Sequence, residues 1–377
     1  MVIYKKYFYV FLFLVTLSLC GIIGFNYYID SANQFSRTEA FSTKVTRMLL
    51  DKKEVMVRTN FNERLLQKKM LSKIPHRPDV LVLGSSHSLA ITQDLFAPLS
   101  FYNASVSNAE LEDDMALYYV YQKRNWQPKV VVICVDPWIL DPDFAAVFNG
   151  KKATQQWKSS LLFEYINAKK LILGTNDLTY YDEQVSGSFD KYSQLLSVDL
   201  LESSASTLLF DSVIHSIAPN YYDDCRSCNI LRPDGSRILS KQQESTTLAE
   251  ADLSVAKLIQ NLQLSTQTYK KYSSVDPIYK DTFEKFIHYL KSKNVIIIFY
   301  LPPLEPLAYS HIIEENPNYQ STKEMEKYFI SVASRYHLKV IGSYNPAKAG
   351  LTGNDFVDGS HLKAEGIYKV FLGHPFL

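Results

Sequence analysis

The chain has 377 residues, 46% of them apolar and 21% charged, and its 40 Lys+Arg against 39 Asp+Glu leave a formal net charge of +1. At roughly 150 residues per domain this is about two domains' worth of material, and the composition excludes a disordered chain, a collagen and a polybasic nucleic-acid binder. Glycine is scarce at 13, 26 Tyr and 21 Phe make the chain bulky, and four cysteines are too few for a disulfide-built fold.

Lys5 and Lys6 precede an apolar run over 7–29, interrupted only by Thr16, Ser18 and Asn26. About 20 apolar residues span a bilayer, and a cationic pair ahead of the run holds that end in the cytoplasm. The segment 1–30 therefore reads as an uncleaved membrane anchor with the rest of the chain extracytoplasmic. The competing reading is a cleaved signal peptide, whose apolar region usually runs about 7–15 residues to a small-x-small site. Cys20 reads as an apolar thiol within the anchor. Residues 31–78 are polar with a helical period and read as a helical stalk or docking segment.

The run 79–84 has strand length and closes on Gly84, and Ser85 can cap a helix beginning there. A second strand is expected at 101–104, a helix at 109–122, and a third strand at 129–135, all β-branched or apolar as a buried parallel strand requires. The alternation then stops. Residues 141–278 read as a mainly helical insertion with a turn at Arg232-Pro233-Asp234-Gly235-Ser236. Alternation resumes with a helix at 279–291, a strand at 295–301, a helix at 322–336, a strand at 338–341 and a helix at 364–372. Five strands alternating with helices predict an α/β domain over 79–377, its parallel sheet covered on both faces.

Ligands of open parallel sheets bind beyond the carboxyl ends of the strands. Three polar clusters fall there: Gly84-Ser85-Ser86-His87, Asn103-Ala104-Ser105, and Asp358-Gly359-Ser360-His361. A serine in a first helical turn lies near backbone N–H groups and the positive end of the helix dipole. An Asp three residues before a His can orient one imidazole nitrogen while the other faces a serine.

Leu83-Gly84-Ser85-Ser86 after the first strand, with Asp358-Gly359-Ser360-His361-Leu362 and Ala364-Glu365-Gly366 near the end, resembles the SGNH/GDSL hydrolase superfamily over about 79–140 and 280–372. The resemblance implies a three-layer α/β/α sandwich of flavodoxin-like kind, with Ser86 as nucleophile, His361 as general base and then acid, and Asp358 as its orienter. Ser85 is the alternative nucleophile. The family's second-block Gly is replaced here, so the backbone N–H of Ser105 joins that of Ser86 as the expected oxyanion donor. The third-block Gly-x-Asn-Asp is also absent, the strand ending Val135-Asp136-Pro137-Trp138, so a side-chain amide is missing and Asn103 is its expected substitute. His87 is read as a helix-start side chain outside the chemistry. Anchor and insertion are more specifically similar to membrane-anchored members such as the alginate O-acetylation proteins and the D-alanyl-lipoteichoic acid transfer protein.

Cys225-x-x-Cys228 lacks the second pair or the His of a zinc set, and outside the cytoplasm it reads as a local disulfide. Cys134, inside a strand, reads as a buried free thiol. Asn103-Ala104-Ser105 matches a glycosylation acceptor, discounted because a glycan would obstruct the site. The acidic pairs at 141/143 and 223/224 and the lysine pairs at 151–152, 169–170 and 270–271 read as solvated, and Trp138, next to the site, is a candidate for stacking on a sugar ring, with a plain core role as the alternative. The expected function is a serine O-acyltransferase or esterase acting through an acyl-serine on a cell-envelope polysaccharide or teichoic-acid-like polymer. It would use no metal and no organic cofactor, would not bind nucleic acid, and would have a membrane-bound O-acyltransferase as partner. The alternative is a catalytically silent accessory protein that binds glycan or scaffolds that partner.

Overall fold

The computed structural model describes residues 2–30, 38–57, 61–140, 160–174, 215–217, 228–264, 276–315 and 320–372, with short pieces between 192 and 205. Helix α1 (Val2–Ile29) is apolar along most of its length, and its segment Tyr4–Ile29 has a mean hydropathy of 2.4, with residues 4–21 all exposed. At about 1.5 Å per residue it is long enough to cross the roughly 30 Å hydrocarbon core of a bilayer. Thr16 and Ser18 donate their hydroxyls to the carbonyls of Leu12 and Leu14, one turn back, both at 2.9 Å, so the polar groups inside the run are satisfied. At the far end, buried Asn26 donates its amide to the Leu195 carbonyl at 2.8 Å, tying the helix to the rest of the chain.

The central sheet contains the five strands that the sequence announces: β2 (Val80–Leu83), β3 (Phe101–Asn103), β4 (Val130–Cys134), β8 (Ile296–Leu301) and β9 (Lys339–Gly342). They lie in the order β3-β2-β4-β8-β9, all parallel. Taken in chain order this is 2-1-3-4-5, so the winding direction reverses between β2 and β4, which opens a crevice at their carboxyl ends. Strands β2 and β4 are buried at every position, which explains their unbroken β-branched sequences. Alternate residues part into two cores. Leu81, Leu83, Val131, Ile133, Ile297 and Phe299 face helices α4 (Leu111–Gln122), α7 (Pro277–Ser292) and α8 (Gln320–Tyr336). Val82, Val132, Cys134, Ile298 and Tyr300 face α9 (Ala364–Leu372).

The described residues of 31–78 dock on the domain rather than standing apart as a stalk. Helix α2 (Thr38–Leu50), strand β1 (Glu54–Val57) and helix α3 (Glu63–Lys73) bury Val45, Leu49, Val55, Val57, Leu66, Met70 and Leu71 in the same core as Leu81 and Leu83. Arg64 on α3 clamps Asp113 on α4 with Nε to Oδ1 at 2.7 Å and Nη2 to Oδ2 at 2.6 Å, and both residues are buried. A helical apolar stripe requires a partner, and here the partner is the domain itself.

The insertion is mixed rather than mainly helical where it is described. Helix α5 (Leu162–Leu173) packs on α4, and β5 (His215–Ile217), β6 (Asn229–Leu231) and β7 (Arg237–Ile238) join β1 in an antiparallel sheet of order β5-β1-β6-β7. Helix α6 (Leu248–Leu264) follows. The expected turn joins β6 to β7. Gly235 takes φ +81, and a Cβ there would stand 2.1 Å from the Asn103 carbonyl oxygen. The turn thus sits against the edge strand β3, where the Asn103 N–H donates to the Asp234 carbonyl at 2.8 Å.

Candidate active site

Gly84 ends β2 with φ +142, where a Cβ would lie 2.3 Å from Cys134 Cβ. Only glycine combines that backbone with such a close pass over β4. The next residues form not an α-helix but a three-residue 3-10 turn, Ser86–Ser88, so no long helix dipole is aimed at the serine. Ser85 is fully buried, and its Oγ accepts the His87 N–H at 3.2 Å. It is the cap of the turn, which leaves Ser86 as the hydroxyl facing the cleft.

The carboxyl-terminal loop is pinched by a bridge between Phe356 and Leu362. Within it Asp358 Oδ1 accepts the backbone N–H groups of Ser360 and His361, both at 2.9 Å. The same carboxylate meets His361 Nδ1 at 2.9 Å through Oδ2, and His361 Nε2 stands 2.9 Å from Ser86 Oγ. Residues 275 positions apart are thus brought into the expected relay. Burial pushes the Asp358 carboxyl up, but the His361 charge and hydrogen bond and the two backbone donors outweigh it and hold it well below the usual carboxylate range. Burial pushes His361 down, but the Asp358 charge and hydrogen bond, reinforced by Asp136, hold it above the ordinary histidine value, with Arg237 opposing.

The two auxiliary oxyanion donors read from the sequence are not available. The Asn103 amide donates to the carbonyls of Ser88 at 2.7 Å, Leu89 at 3.3 Å and Ile91 at 3.0 Å. Its Oδ1 accepts the Ser105 N–H at 3.0 Å, which occupies that donor as well. Asn103 is fully buried, and it fixes the loops beside the nucleophile instead of facing substrate. This burial also rules it out as a glycan acceptor in the fold. The Ser86 N–H has no acceptor among the described residues and is the remaining expected donor.

Two further side chains stand at the site. His87 is buried, its Nδ1 is 2.6 Å from Asp136 Oδ1 at the end of β4, and its ring centroid lies 5.2 Å from that of His361 and 5.4 Å from that of Trp138. Arg237, on β7, reaches the same cleft with Nη2 2.9 Å from Glu63 Oε1. The cleft has a volume of about 270 Å³ and is lined by Ser86, His87, Arg237, Gln243, Asp358 and His361, among others. A His directly after the nucleophile, and an acid closing the strand across the winding reversal, were the sequence signals for the second pair. Asp136 marks the missing amide, and its partner is His87.

Cys228 is buried and disulfide-bonded, and it borders the cleft; Cys225 lies outside the described residues. Cys134 is a buried free thiol and Cys20 an exposed one on α1. The acidic pairs at 141/143 and 223/224 and the lysines at 151–152 and 270–271 also lie outside the described residues. Among the described residues no cluster of His, Cys, Asp and Glu has the makings of a metal site. The sequence matches no protein-family model and, at a significant level, no curated protein.

Proposed function

We propose that the protein is an SGNH-like serine acyl-transfer enzyme, held at a membrane by α1, that moves a short acyl group through an acyl-Ser86 intermediate. The observation that carries this reading is the continuous relay of Ser86 Oγ, His361 Nε2, His361 Nδ1 and the Asp358 carboxylate, with both links at 2.9 Å. His361 takes the Ser86 proton as Oγ bonds to the acyl carbon, Asp358 stabilises the imidazolium, and the Ser86 N–H faces the developing oxyanion. The bond from the acyl carbon to its former carrier then breaks. A hydroxyl of the acceptor, or water, attacks the acyl-serine and returns Ser86 to its resting state.

A cleft of about 270 Å³ suits a small acyl group and one end of an extended acceptor better than a long lipid chain. The acceptor we assign is a cell-envelope polysaccharide or teichoic-acid-like polymer. An anchor that places the serine near a membrane-bound O-acyltransferase explains why a serine esterase fold would carry a spanning helix, with the domain on the extracytoplasmic side. The three-layer α/β/α arrangement of the SGNH family belongs to the same proposal, supported by the 2-1-3-4-5 strand order and the two cores.

One observation favours the silent accessory reading: Asn103 and the Ser105 N–H are spent on structure, and losing one oxyanion donor costs about 10²–10³ in rate elsewhere. Full-length protein in detergent, offered a chromogenic acetyl ester and a fluorophosphonate probe, separates the two. Turnover and labelling that vanish in Ser86→Ala support the enzyme. Labelling that survives that substitution, or neither signal in the intact protein, refutes it.

A further inference from the structure

We infer that His87, oriented by Asp136, is a second acid–base residue of the site, serving the leaving group and the acceptor while His361 serves Ser86. The inference rests on the acyl-serine reading and deepens it. His87 Nδ1 is committed to Asp136 Oδ1 at 2.6 Å, with both residues buried, so the carboxylate fixes the ring and leaves Nε2 as the nitrogen able to exchange a proton. No partner for that nitrogen exists among the described residues, and His87 borders the same cleft as Ser86. Its ring centroid lies 5.2 Å from that of His361. In serine acyl transfer the leaving group and the acceptor pass on the side of the base, whereas the oxyanion points away from it. The proximity therefore places His87 where protons enter and leave with the substrates.

Charge explains why two imidazoles can share the site. Two imidazolium ions this close would repel strongly, but one proton between them is balanced by Asp136 on one side and Asp358 on the other. The acylation step starts from the form in which His361 is neutral and His87 carries a proton on Nε2, with Asp136 as counter-ion. During acylation Ser86 gives its proton to His361 as Oγ bonds to the acyl carbon, and His87 gives its own to the departing oxygen as the old ester bond breaks. During deacylation the acceptor hydroxyl gives its proton to His87 as its oxygen bonds to the acyl carbon, and His361 returns a proton to Ser86 Oγ as that bond breaks. Every proton is accounted for, and the pair of rings begins and ends each half-reaction with one positive charge. The other groups facing the pair are Arg237 in the cleft, the Cys134 thiol 3.5 Å from Asp136 Oδ2, and Asp114, which burial and neighbouring acids push far up toward its neutral form.

The test uses full-length protein in detergent, with 4-nitrophenyl acetate, whose leaving group needs no proton, and with an alkyl acetate, whose leaving group does. In His87→Ala the fluorophosphonate labelling and the 4-nitrophenol burst should stay within about threefold of wild type. Deacylation should slow by about 10²-fold or more, the usual worth of general acid–base catalysis. Acyl-Ser86 should then accumulate in intact mass spectra, acylation by the alkyl ester should slow as well, and added imidazole should restore the lost steps. His87→Gln, which keeps a donor for Asp136, guards against misfolding and should show the same split. Asp136→Asn should reproduce it in weaker form, because Asp136 is a positioning residue. If His87→Ala slows labelling, burst and deacylation alike and His87→Gln restores all three, His87 is an oxyanion donor and the inference is overturned. Unaltered deacylation in both variants overturns it too. A wild type with neither burst nor label refutes the acyl-serine reading itself, before any variant is made.

Discussion

Replacing Gly84 by Ala is expected to damage both stability and the nucleophile. The new Cβ would stand 2.3 Å from Cys134 Cβ, 2.9 Å from Ser88 Oγ and 3.2 Å from Cys134 Cα, against a comfortable carbon separation of about 3.5–4.0 Å. Cys134 cannot retreat, because β4 is paired to β2 on one side and to β8 on the other and is buried throughout. The steric conflict should cost about 1–3 kcal/mol, and holding Ala at φ +142 about 1–3 kcal/mol more. At roughly 2–4 °C per kcal/mol for a domain of this size, a melting temperature lower by about 5–20 °C is expected. Relief by moving the turn displaces Ser86, and a misplacement of about 1 Å can cost about 10² in rate, so fluorophosphonate labelling should slow at least tenfold. Thermal unfolding followed by circular dichroism in detergent, with labelling rates measured below the transition, gives both readings. Combining Gly84→Ala with Cys134→Gly removes the nearest clash and leaves the backbone strain, so the double-mutant cycle should show a favourable coupling of about 1–3 kcal/mol. A Gly84→Ala protein with wild-type melting and labelling would refute the claim that the close pass over β4 builds the site.

His361 must be neutral to accept the serine proton, and Asp358, aided by Asp136, holds its ionisation above the ordinary 6.5. The labelling rate should therefore rise with pH through a midpoint above that value. Asp358→Asn leaves burial and Arg237 to push downward, so the midpoint should fall even as the plateau rate drops; an unmoved midpoint would argue against the pairing. Arg64→Met should cost about 3–5 kcal/mol because Asp113 is left buried without its guanidinium, and adding Asp113→Asn should recover part of that loss in the same melting assay. Asn103→Ala should lower stability by about 2–3 kcal/mol, since three buried carbonyls and the Ser105 N–H lose their partner. A slower reaction with unchanged melting would instead make Asn103 an oxyanion donor.

Local pattern determined much of this protein. The apolar run of α1, the five strands and the turn at Gly235 were legible because each depends on a few consecutive residues and their spacing, and the pairing of Ser86 with Asp358 and His361 was expected from the resemblance of two short motifs to one family. Chain direction and the two-residue alternation of a buried strand also fix which end of the sheet holds the polar loops. Other features depended on what packs against what. The helical pattern of 31–78 is the same for a free stalk and for a docked one, and only the core shared by Leu49, Met70 and Leu81 distinguishes them. Asn103 has the chemistry of an oxyanion donor, yet the carbonyls of Ser88, Leu89 and Ile91 reach its amide first. Asp136 looked like the loss of an amide, and the fold instead pairs it with His87 from 49 positions away. Hydrogen bonds between distant residues go to whichever partner the chain's path delivers at about 3 Å, and no spacing along the sequence encodes that choice.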